Sequence, residues 1–182
     1  MGSLDSLGLG RTDKSSEGHD YLWFYELFLG PRRQDKLVLL EMGIGGGGSL
    51  KMWRDYFPNS LVVGFDIDPE KALDYGERIK VFIGDQANRS HLQYLVEKYG
   101  PFDVVNDDAG HDPAAQLFAY KFLLPHLKPG GIYFLEDIGS REVAEELAAK
   151  AVGVVAKESG CCAMAFYREA IVTVAPKVLA HG

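Results

Sequence analysis

The sequence predicts an α/β fold with a doubly wound, seven-stranded sheet that is mostly parallel and ends in an antiparallel hairpin. Three observations predict it. Short apolar runs alternate with helix-like segments along most of the chain. Residues typical of helix caps mark the boundaries between them. Only three residues separate the last two apolar runs, which is too few for a crossover helix.

Seven apolar runs are the candidate strands. The first five are short and almost continuously hydrophobic, which is typical of strands buried on both faces of a parallel sheet. The last two should pair antiparallel, because so short a loop can only reverse the chain. The seven runs are Leu37–Leu40, Leu61–Phe65, Ile79–Ile83, Phe102–Val105, Gly131–Leu135, Cys162–Tyr167 and Ile171–Val174.

The segments between these runs have helical patterns. Asp68-Pro69 and Asp112-Pro113 each place an N-cap acceptor before a proline at the first helical position. Gly76 and Gly100 are typical helix stops. The alternation of strands and helices indicates right-handed βαβ units and therefore a Rossmann-like sheet. The predicted helices are Tyr21–Leu29, Ser49–Tyr56, Glu70–Tyr75, Ser90–Tyr99, Ala114–Leu127 and Glu142–Ala151.

Length and composition favour a single globular domain. The chain has 182 residues, of which 47% are hydrophobic and 25% are charged, close to the average of globular domains. Residues 1–18 are rich in Gly, Ser and Asp and lack a sustained apolar period, so we expect a loose N-terminal arm or lid. Residues 19–182 then form the folded domain.

Charge and apolar pattern exclude several classes of protein. The formal net charge is −7 and the isoelectric point is near 5.2, which disfavours binding to nucleic acid phosphates. The sequence has neither an apolar stretch long enough for a membrane helix nor the pattern of a signal peptide. Cys161 and Cys162 are adjacent, which suits neither a disulfide framework nor a zinc site. We therefore expect a cytoplasmic protein with no nucleic acid or membrane partner.

A glycine-rich turn follows the first predicted strand. Gly43, Gly45 and Gly48 form a G-x-G-x-x-G pattern before the helix that starts at Ser49. The pattern is a weak signal for a dinucleotide, and a tight turn without a ligand is an alternative. Glu41 precedes the first glycine by two residues. A carboxylate there would repel a pyrophosphate, but it suits the ammonium and sulfonium of S-adenosylmethionine.

The next two strand ends fit the nucleoside part of the same cofactor. Asp66 ends the second predicted strand, where a carboxylate can accept hydrogen bonds from both ribose hydroxyls. Asp85 and Gln86 follow the third strand and are placed to meet the adenine amino group. The alternatives are a turn-forming role for Asp66 and an ordinary helix-entry loop for Asp85 and Gln86.

Acidic residues follow the fourth and fifth predicted strands. Asp107 and Asp108 follow the fourth, and Glu136 and Asp137 follow the fifth. Both strand ends open on the same crevice of a doubly wound sheet, where converging carboxylates repel one another unless they share a cation. An all-oxygen ligand set suits Mg²⁺. The alternative is that these acids only cap and solvate loops.

A histidine, His111, lies three residues after Asp108, near enough to act as a base beside the metal. Mg²⁺ lowers the cost of forming an alkoxide, and a neutral imidazole can take the proton while the oxygen attacks a methyl carbon. The combination favours methyl transfer to a hydroxyl group. A passive surface histidine is the alternative.

Taken together, these motifs resemble the class I S-adenosylmethionine-dependent methyltransferases. Within that class they are similar to the Mg²⁺-dependent sugar O-methyltransferases of macrolide and related natural-product pathways. The matching residues are Thr12-Asp13-Lys14 with His19 and Tyr21, Glu41 to Trp53, Gly64 to Pro69, Gly84-Asp85-Gln86, Asp107-Asp108 with His111, and Glu136-Asp137. One departure is Ala109-Gly110, where the family commonly has Gly-Ser before the histidine.

The resemblance implies roles for individual residues. His111 would be the general base, and Asp108, Glu136 and Asp137 would be the metal ligands. Lys14 would fold over the cofactor together with neighbouring residues of the N-terminal arm. The predicted cofactor-binding residues are Thr12, Tyr21, Glu41, Gly43, Gly45, Ser49, Asp66, Asp85, Gln86 and Asp107.

The expected function is Mg²⁺-dependent O-methylation, by S-adenosylmethionine, of a sugar or polyketide-type natural product. The partner is then a small-molecule hydroxyl acceptor. Only 24 residues (Ile138–Cys161) lie between the acidic pair that ends the fifth predicted strand and the start of the sixth, so the acceptor pocket would need the N-terminal arm or a second subunit of a homo-oligomer. Two alternatives stay open: an NAD-dependent oxidoreductase, which leaves the acidic cluster unexplained, and a catalytically silent cofactor-binding protein.

Overall fold

The computed structural model describes residues 2–138 and the backbone of 163–167 and 170–174. The helices are α1 (Leu4–Gly8), α2 (Leu22–Leu29), α3 (Gly48–Tyr56), α4 (Arg89–Tyr99) and α5 (Pro113–Leu123). The first five strands are β1 (Val38–Met42), β2 (Leu61–Asp66), β3 (Ile79–Ile83), β4 (Phe102–Asp107) and β5 (Leu127–Leu135). Among the described residues, no helix has the length and apolar composition needed to cross a membrane.

Strands β1 to β5 form a parallel sheet in the order β3-β2-β1-β4-β5. The chain leaves β1 toward β2 on one side and returns to β4 on the other, which opens a crevice at the carboxyl ends of β1 and β4. In this register Glu41 lies opposite Asn106, and Met42 lies opposite Asp107. The predicted parallel α/β sheet is confirmed, and the motifs at these two strand ends are neighbours.

The C-terminal part of the sheet is described by its backbone alone. Ala163–Tyr167 (β6) and Ala170–Val174 (β7) run antiparallel to each other, and β7 lies antiparallel beside β5, with Leu135 opposite Ile171. The seven-stranded sheet with a closing hairpin stays a prediction at this point. The predicted helix Glu142–Ala151 lies outside the described residues.

Helices cover both faces of the parallel sheet. Successive residues of a strand point to opposite faces, so neighbouring residues pack against different helices. Leu39 packs in a cluster that includes Leu22 of α2 and Trp53 of α3. Leu40, its neighbour in β1, packs in a second cluster that includes Leu95 of α4. The continuous apolar runs of the strands follow from this two-sided burial.

The N-terminal segment is not the loose arm that its composition predicts. Ser3 caps α1 by accepting a hydrogen bond from the N–H of Ser6. Leu4 of α1 is fully buried, and Leu7 packs against the same cluster. Two apolar residues one helical turn apart are too few to give a recognisable helical period in the sequence.

The predicted helix Glu70–Tyr75 is wrong. Asp68 does cap a turn, with its carboxylate accepting from a backbone N–H, but the turn is a single 3₁₀ turn at Pro69–Lys71. The Tyr75 ring is buried and packs against Gly47, and Gly76 has a φ of +103°. The chain therefore leaves the helical conformation after Lys71, because it must bury the Tyr75 ring and then turn sharply at Gly76 into β3.

The helix before the fifth strand is shorter than predicted, and the strand is longer. α5 ends at Leu123, and a 3₁₀ turn at Leu124–His126 follows. Pro125 lies in this turn and cannot donate a helical hydrogen bond. β5 therefore begins at Leu127, before the predicted start at Gly131.

Replacing Leu40 with alanine should lower the free energy of unfolding by about 2–5 kcal/mol, because the truncated side chain leaves a cavity between packed layers. Leu27 on α2 is the matched control, since it is 63% exposed. Leu27→Ala should change the free energy by less than about 0.5 kcal/mol. Urea unfolding measures both variants, and equal losses would contradict the described core.

Candidate active site

The glycine-rich turn between β1 and α3 brings separate parts of the chain into contact. It has positive φ angles at Gly43, Gly45 and Gly47. A Cβ atom on Gly43 would overlap the carbonyl oxygen of Asp108, and one on Gly48 would overlap the carbonyl oxygen of Arg11. The missing side chains therefore allow the turn to touch both the β4–α5 loop and the N-terminal segment.

A cavity of about 700 Å³ opens beside this turn. Seven predicted cofactor residues line it, namely Thr12, Gly43, Gly45, Ser49, Asp66, Asp85 and Gln86. Sequence reasoning missed Arg11, Ile44 and Ile67, which also line the cavity. Ile67 carried a usable signal, because an apolar residue directly after a strand-end acid is well placed to cover a flat ligand.

Three predicted cofactor residues do not line the cavity. Glu41 and Asp107 are fully buried near the ends of β1 and β4. Asp107 accepts a hydrogen bond from the Tyr133 hydroxyl at 2.7 Å. The Tyr21 hydroxyl donates instead to Asp137 at 3.1 Å. Glu41, Asp107 and Tyr21 would therefore affect a ligand in the cavity only through long-range electrostatics or by positioning residues that line it.

Neighbouring backbone groups fix the orientation of the Asp66 carboxylate at the cavity wall. One carboxylate oxygen accepts from the N–H of Ile44 at 2.7 Å, and the other accepts from the N–H of Asp68 at 2.9 Å. Each carboxylate oxygen has a second lone pair. Asp66 can therefore still accept hydrogen bonds from a ligand while its orientation is set by the protein.

The loop after β3 is held by two side chains. The N–H of Asp85 donates to Nδ1 of His91 at 2.9 Å, and Nε2 of Gln86 donates to the carbonyl oxygen of Gly110 at 2.8 Å. Oε1 of Gln86 is buried and has no partner among the described residues. Sequence reasoning missed His91. Its position in the first turn of the helix that follows Asp85 could have indicated a contact with the loop after β3.

Two of the three predicted metal ligands meet the predicted base. Asp108, His111 and Asp137 each offer one ligand atom, and these atoms lie within 4.8 Å of one another. Nε2 of His111 is 3.6 Å from an oxygen of Asp108 and 3.6 Å from an oxygen of Asp137. Asp137 has a φ of +53°, a conformation that aspartate adopts more readily than most residues. The arrangement gathers carboxylate oxygens and an imidazole at one point.

The third predicted metal ligand, Glu136, has a different partner. Its Oε2 is 3.1 Å from Nζ of Lys14, which also binds a carboxylate oxygen of Asp108. Its Oε1 is buried and has no partner among the described residues. Lys14 was expected to fold over the cofactor. The residue does line the cavity, but its ammonium lies between two predicted metal ligands.

Burial dominates the electrostatics of this region. It raises the pKa of Glu41 to about 7, although the charge of Lys14 lowers it. It raises the pKa of Asp107 to about 6 despite an accepted hydrogen bond, and it also raises the pKa of Glu136. Burial alone would lower the pKa of Lys14, but the charges of Glu136 and Asp108 outweigh it and raise that pKa. Burial therefore favours the neutral form of each of these acids, while the neighbouring carboxylates keep Lys14 protonated.

Curated proteins with similar sequences are O-methyltransferases. The chain is 38% identical over 134 residues to 8-demethyl-8-(2-methoxy-alpha-L-rhamnosyl)-tetracenomycin-C 3'-O-methyltransferase from Streptomyces olivaceus, an alignment that covers 70% of this chain and 34% of that protein. It is 36% identical over 126 residues to mycinamicin VI 2''-O-methyltransferase from Micromonospora griseorubida, covering 64% and 31%. The chain thus spans about a third of the length of these relatives. No protein-family model matches it.

Solved structures give the same result. The methyltransferase MycE from the mycinamycin biosynthetic pathway, in complex with Mg and SAH, superposes with a TM-score of 0.85 at 26% identity and covers 100% of this chain and 56% of that chain. A second structure of MycE, with Mg, SAH and mycinamycin VI, gives a TM-score of 0.84 at 27% identity, again over 100% of this chain and 56% of that one.

Fold and sequence together define the class: the chain is a relative of the class I S-adenosylmethionine-dependent methyltransferases. Within that class, the proteins to which it is similar are sugar O-methyltransferases of macrolide and polyketide pathways. The resemblance predicted from the motifs is confirmed.

Gly43→Ala should lower the free energy of unfolding by at least about 2 kcal/mol, because it combines positive-φ strain with overlap on a backbone oxygen. Gly46→Ala is the control from the same turn, since a Cβ there meets no atom within 4 Å, and it should cost less than about 1 kcal/mol. Thermal and urea unfolding measure the difference. Similar stabilities of the two variants would contradict the contact between Gly43 and the β4–α5 loop.

Proposed function

We propose that this chain is the catalytic part of an S-adenosylmethionine-dependent O-methyltransferase that modifies a hydroxyl group on a sugar or polyketide-type natural product. The observation that carries the proposal is that Asp108, Asp137 and His111 converge next to the cavity that Asp66 and Gln86 line. The printed names of the relatives support both the reaction and the class of acceptor.

The cofactor would occupy the 700 Å³ cavity. Asp66 is held by two backbone N–H groups and can accept from the ribose hydroxyls. Oε1 of Gln86 has no partner among the described residues, so it can accept from the adenine amino group. Glu41 would favour the cationic methionine end through its charge and not by direct contact, since it is fully buried.

A magnesium ion fits the residues at the strand ends. Asp108 and Asp137 offer oxygens close together, and the unpartnered Oε1 of Glu136 is an oxygen that a cation would satisfy. MycE carries Mg in its structures. When bound, Mg²⁺ would stabilise the negative charge that develops on the acceptor oxygen.

The base would be His111, which is half-exposed and open to an incoming acceptor. Its imidazole would take the hydroxyl proton as the oxygen forms a bond to the methyl carbon. The bond between that carbon and the sulfur breaks, and S-adenosylhomocysteine (SAH) leaves. Asp108 and Asp137, each 3.6 Å from its Nε2, would orient the ring and stabilise the imidazolium that results.

The proposal also includes two structural features. The first is a seven-stranded sheet closed by the β6–β7 hairpin, which the antiparallel backbone pairing of β7 with β5 supports. The second is a division into an N-terminal lid of residues 1–18 and a domain of residues 19–182. Thr12 and Lys14 at the cavity wall support a covering role for the N-terminal segment.

Removing the base tests the reaction. His111→Ala should lower kcat by about 10²-fold or more, because general-base catalysis typically contributes that much, and it should leave the dissociation constant for SAH unchanged. Turnover is measured with labelled S-adenosylmethionine and a panel of rhamnosylated and macrolide acceptors, and binding by calorimetry. Turnover should also stop in EDTA and return with Mg²⁺.

His126→Ala is the matched control, because His126 lies in the 3₁₀ turn before β5 and does not line the cavity. It should leave both kcat and SAH binding unchanged. Full activity of His111→Ala would remove this residue from the base role. Binding of NAD in place of SAH would favour the oxidoreductase, and SAH binding without turnover on any acceptor would favour the silent binding protein.

Removing the side chain that holds the loop after β3 should weaken cofactor binding. His91→Phe deletes the acceptor for the N–H of Asp85, so the dissociation constant for SAH should rise by about 2- to 10-fold. His91→Asn is the control that keeps an acceptor near the same place, and it should bind close to the wild type. Calorimetry with SAH measures both, and equal binding by the Phe variant would show that this hydrogen bond does not support the site.

A further inference from the structure

The ammonium of Lys14 occupies an unusual position. The side chain is 2% exposed, and its Nζ binds an oxygen of Asp108 and lies 3.1 Å from Oε2 of Glu136. Both carboxylates are predicted metal ligands. A protein cation therefore sits where the carboxylates of β4 and β5 approach each other.

Physical chemistry explains why a cation is held there. Buried carboxylates repel each other strongly unless a positive charge lies between them. Lys14 supplies such a charge when no metal is bound. Its backbone is fixed independently of its side chain, because its carbonyl oxygen accepts from the N–H groups of Tyr21 at 2.8 Å and Leu22 at 3.2 Å.

Lys14 and the metal group share one residue. Oδ2 of Asp108 binds Lys14, while Oδ1 of the same carboxylate lies 3.6 Å from Nε2 of His111. The unpartnered Oε1 of Glu136 is on the other carboxylate that Lys14 binds. A divalent ion that recruits Asp108 and Glu136 would therefore share both carboxylates with the ammonium of Lys14, and the two positive charges would repel each other.

We propose that Lys14 is an internal competitor for the divalent cation: its ammonium binds Asp108 and Glu136 in the metal-free protein, weakens metal binding and leaves these carboxylates when the metal binds. The inference rests on the metal site of the proposed function. It gives Lys14 two effects of opposite sign, since the same ion pairs stabilise the metal-free fold and lower the affinity for metal.

The test measures Mg²⁺ binding to Lys14→Met by calorimetry, without cofactor or acceptor. We expect the dissociation constant for Mg²⁺ to fall at least about tenfold, because a positive charge next to the ion has been removed. The melting temperature in EDTA should fall, and Mg²⁺ should raise it by more than in the wild type. Lys80→Met is the control with the same change in net charge, since Lys80 is an exposed residue of β3. It should match the wild type in both measurements.

A measurement on the wild type covers the case in which Lys14→Met does not fold. Amine acetylation followed by mass spectrometry should leave Lys14 unmodified in EDTA and modify it in saturating Mg²⁺, with Lys80 as the reactive standard in both. Protection of Lys14 in the metal-bound wild type would overturn the proposal. So would unchanged or weaker Mg²⁺ binding by Lys14→Met in a protein whose wild type binds Mg²⁺. If neither protein binds Mg²⁺, the metal site of the proposed function fails, and this inference fails with it.

Discussion

The concentration of acidic side chains at the carboxyl edge of the sheet is the constraint on which the rest of this structure depends. Glu41, Asp107 and Glu136 are buried there, and Asp108 and Asp137 lie beside them at the surface of the crevice. Such a group of acids is stable only when cations or hydrogen-bond donors compensate it. Lys14 provides the one buried ammonium among the described residues, which explains why a polar N-terminal segment is packed tightly against the domain.

Contacts between loops bring these acidic side chains and the cavity together. The glycine turn touches the carbonyl oxygens of Asp108 and Arg11, and Gln86 joins the loop after β3 to the β4–α5 loop. Three loops and the N-terminal segment are thereby held around one cavity. The residues that fix this geometry belong to separate loops, so the site is a property of the whole edge of the sheet.

Sequence reasoning recovered what depends on local pattern. Strands β1 to β5 follow from continuous apolar runs, and the meeting of Asp108 with Asp137 follows from parallel strands whose carboxyl ends share an edge. The pairing of Lys14 was hidden, because one lysine in a polar turn carries no periodic signal. The helix at Glu70–Tyr75 failed for a related reason: burial of the Tyr75 ring, a tertiary contact, outweighed local helix propensity.

The left-handed backbone of Asp137, at φ +53°, has an evolutionary consequence. Asparagine and glycine adopt this conformation readily, whereas β-branched and bulky residues do not. The substitutions that this backbone conformation accepts most easily therefore keep the bend and remove the charge. An asparagine at this position would keep the backbone conformation, but it would replace one of the carboxylates that converge with His111 by a neutral amide. A single nucleotide change converts an aspartate codon into an asparagine or a glycine codon, so the charge at this position can be lost while the backbone bend is kept.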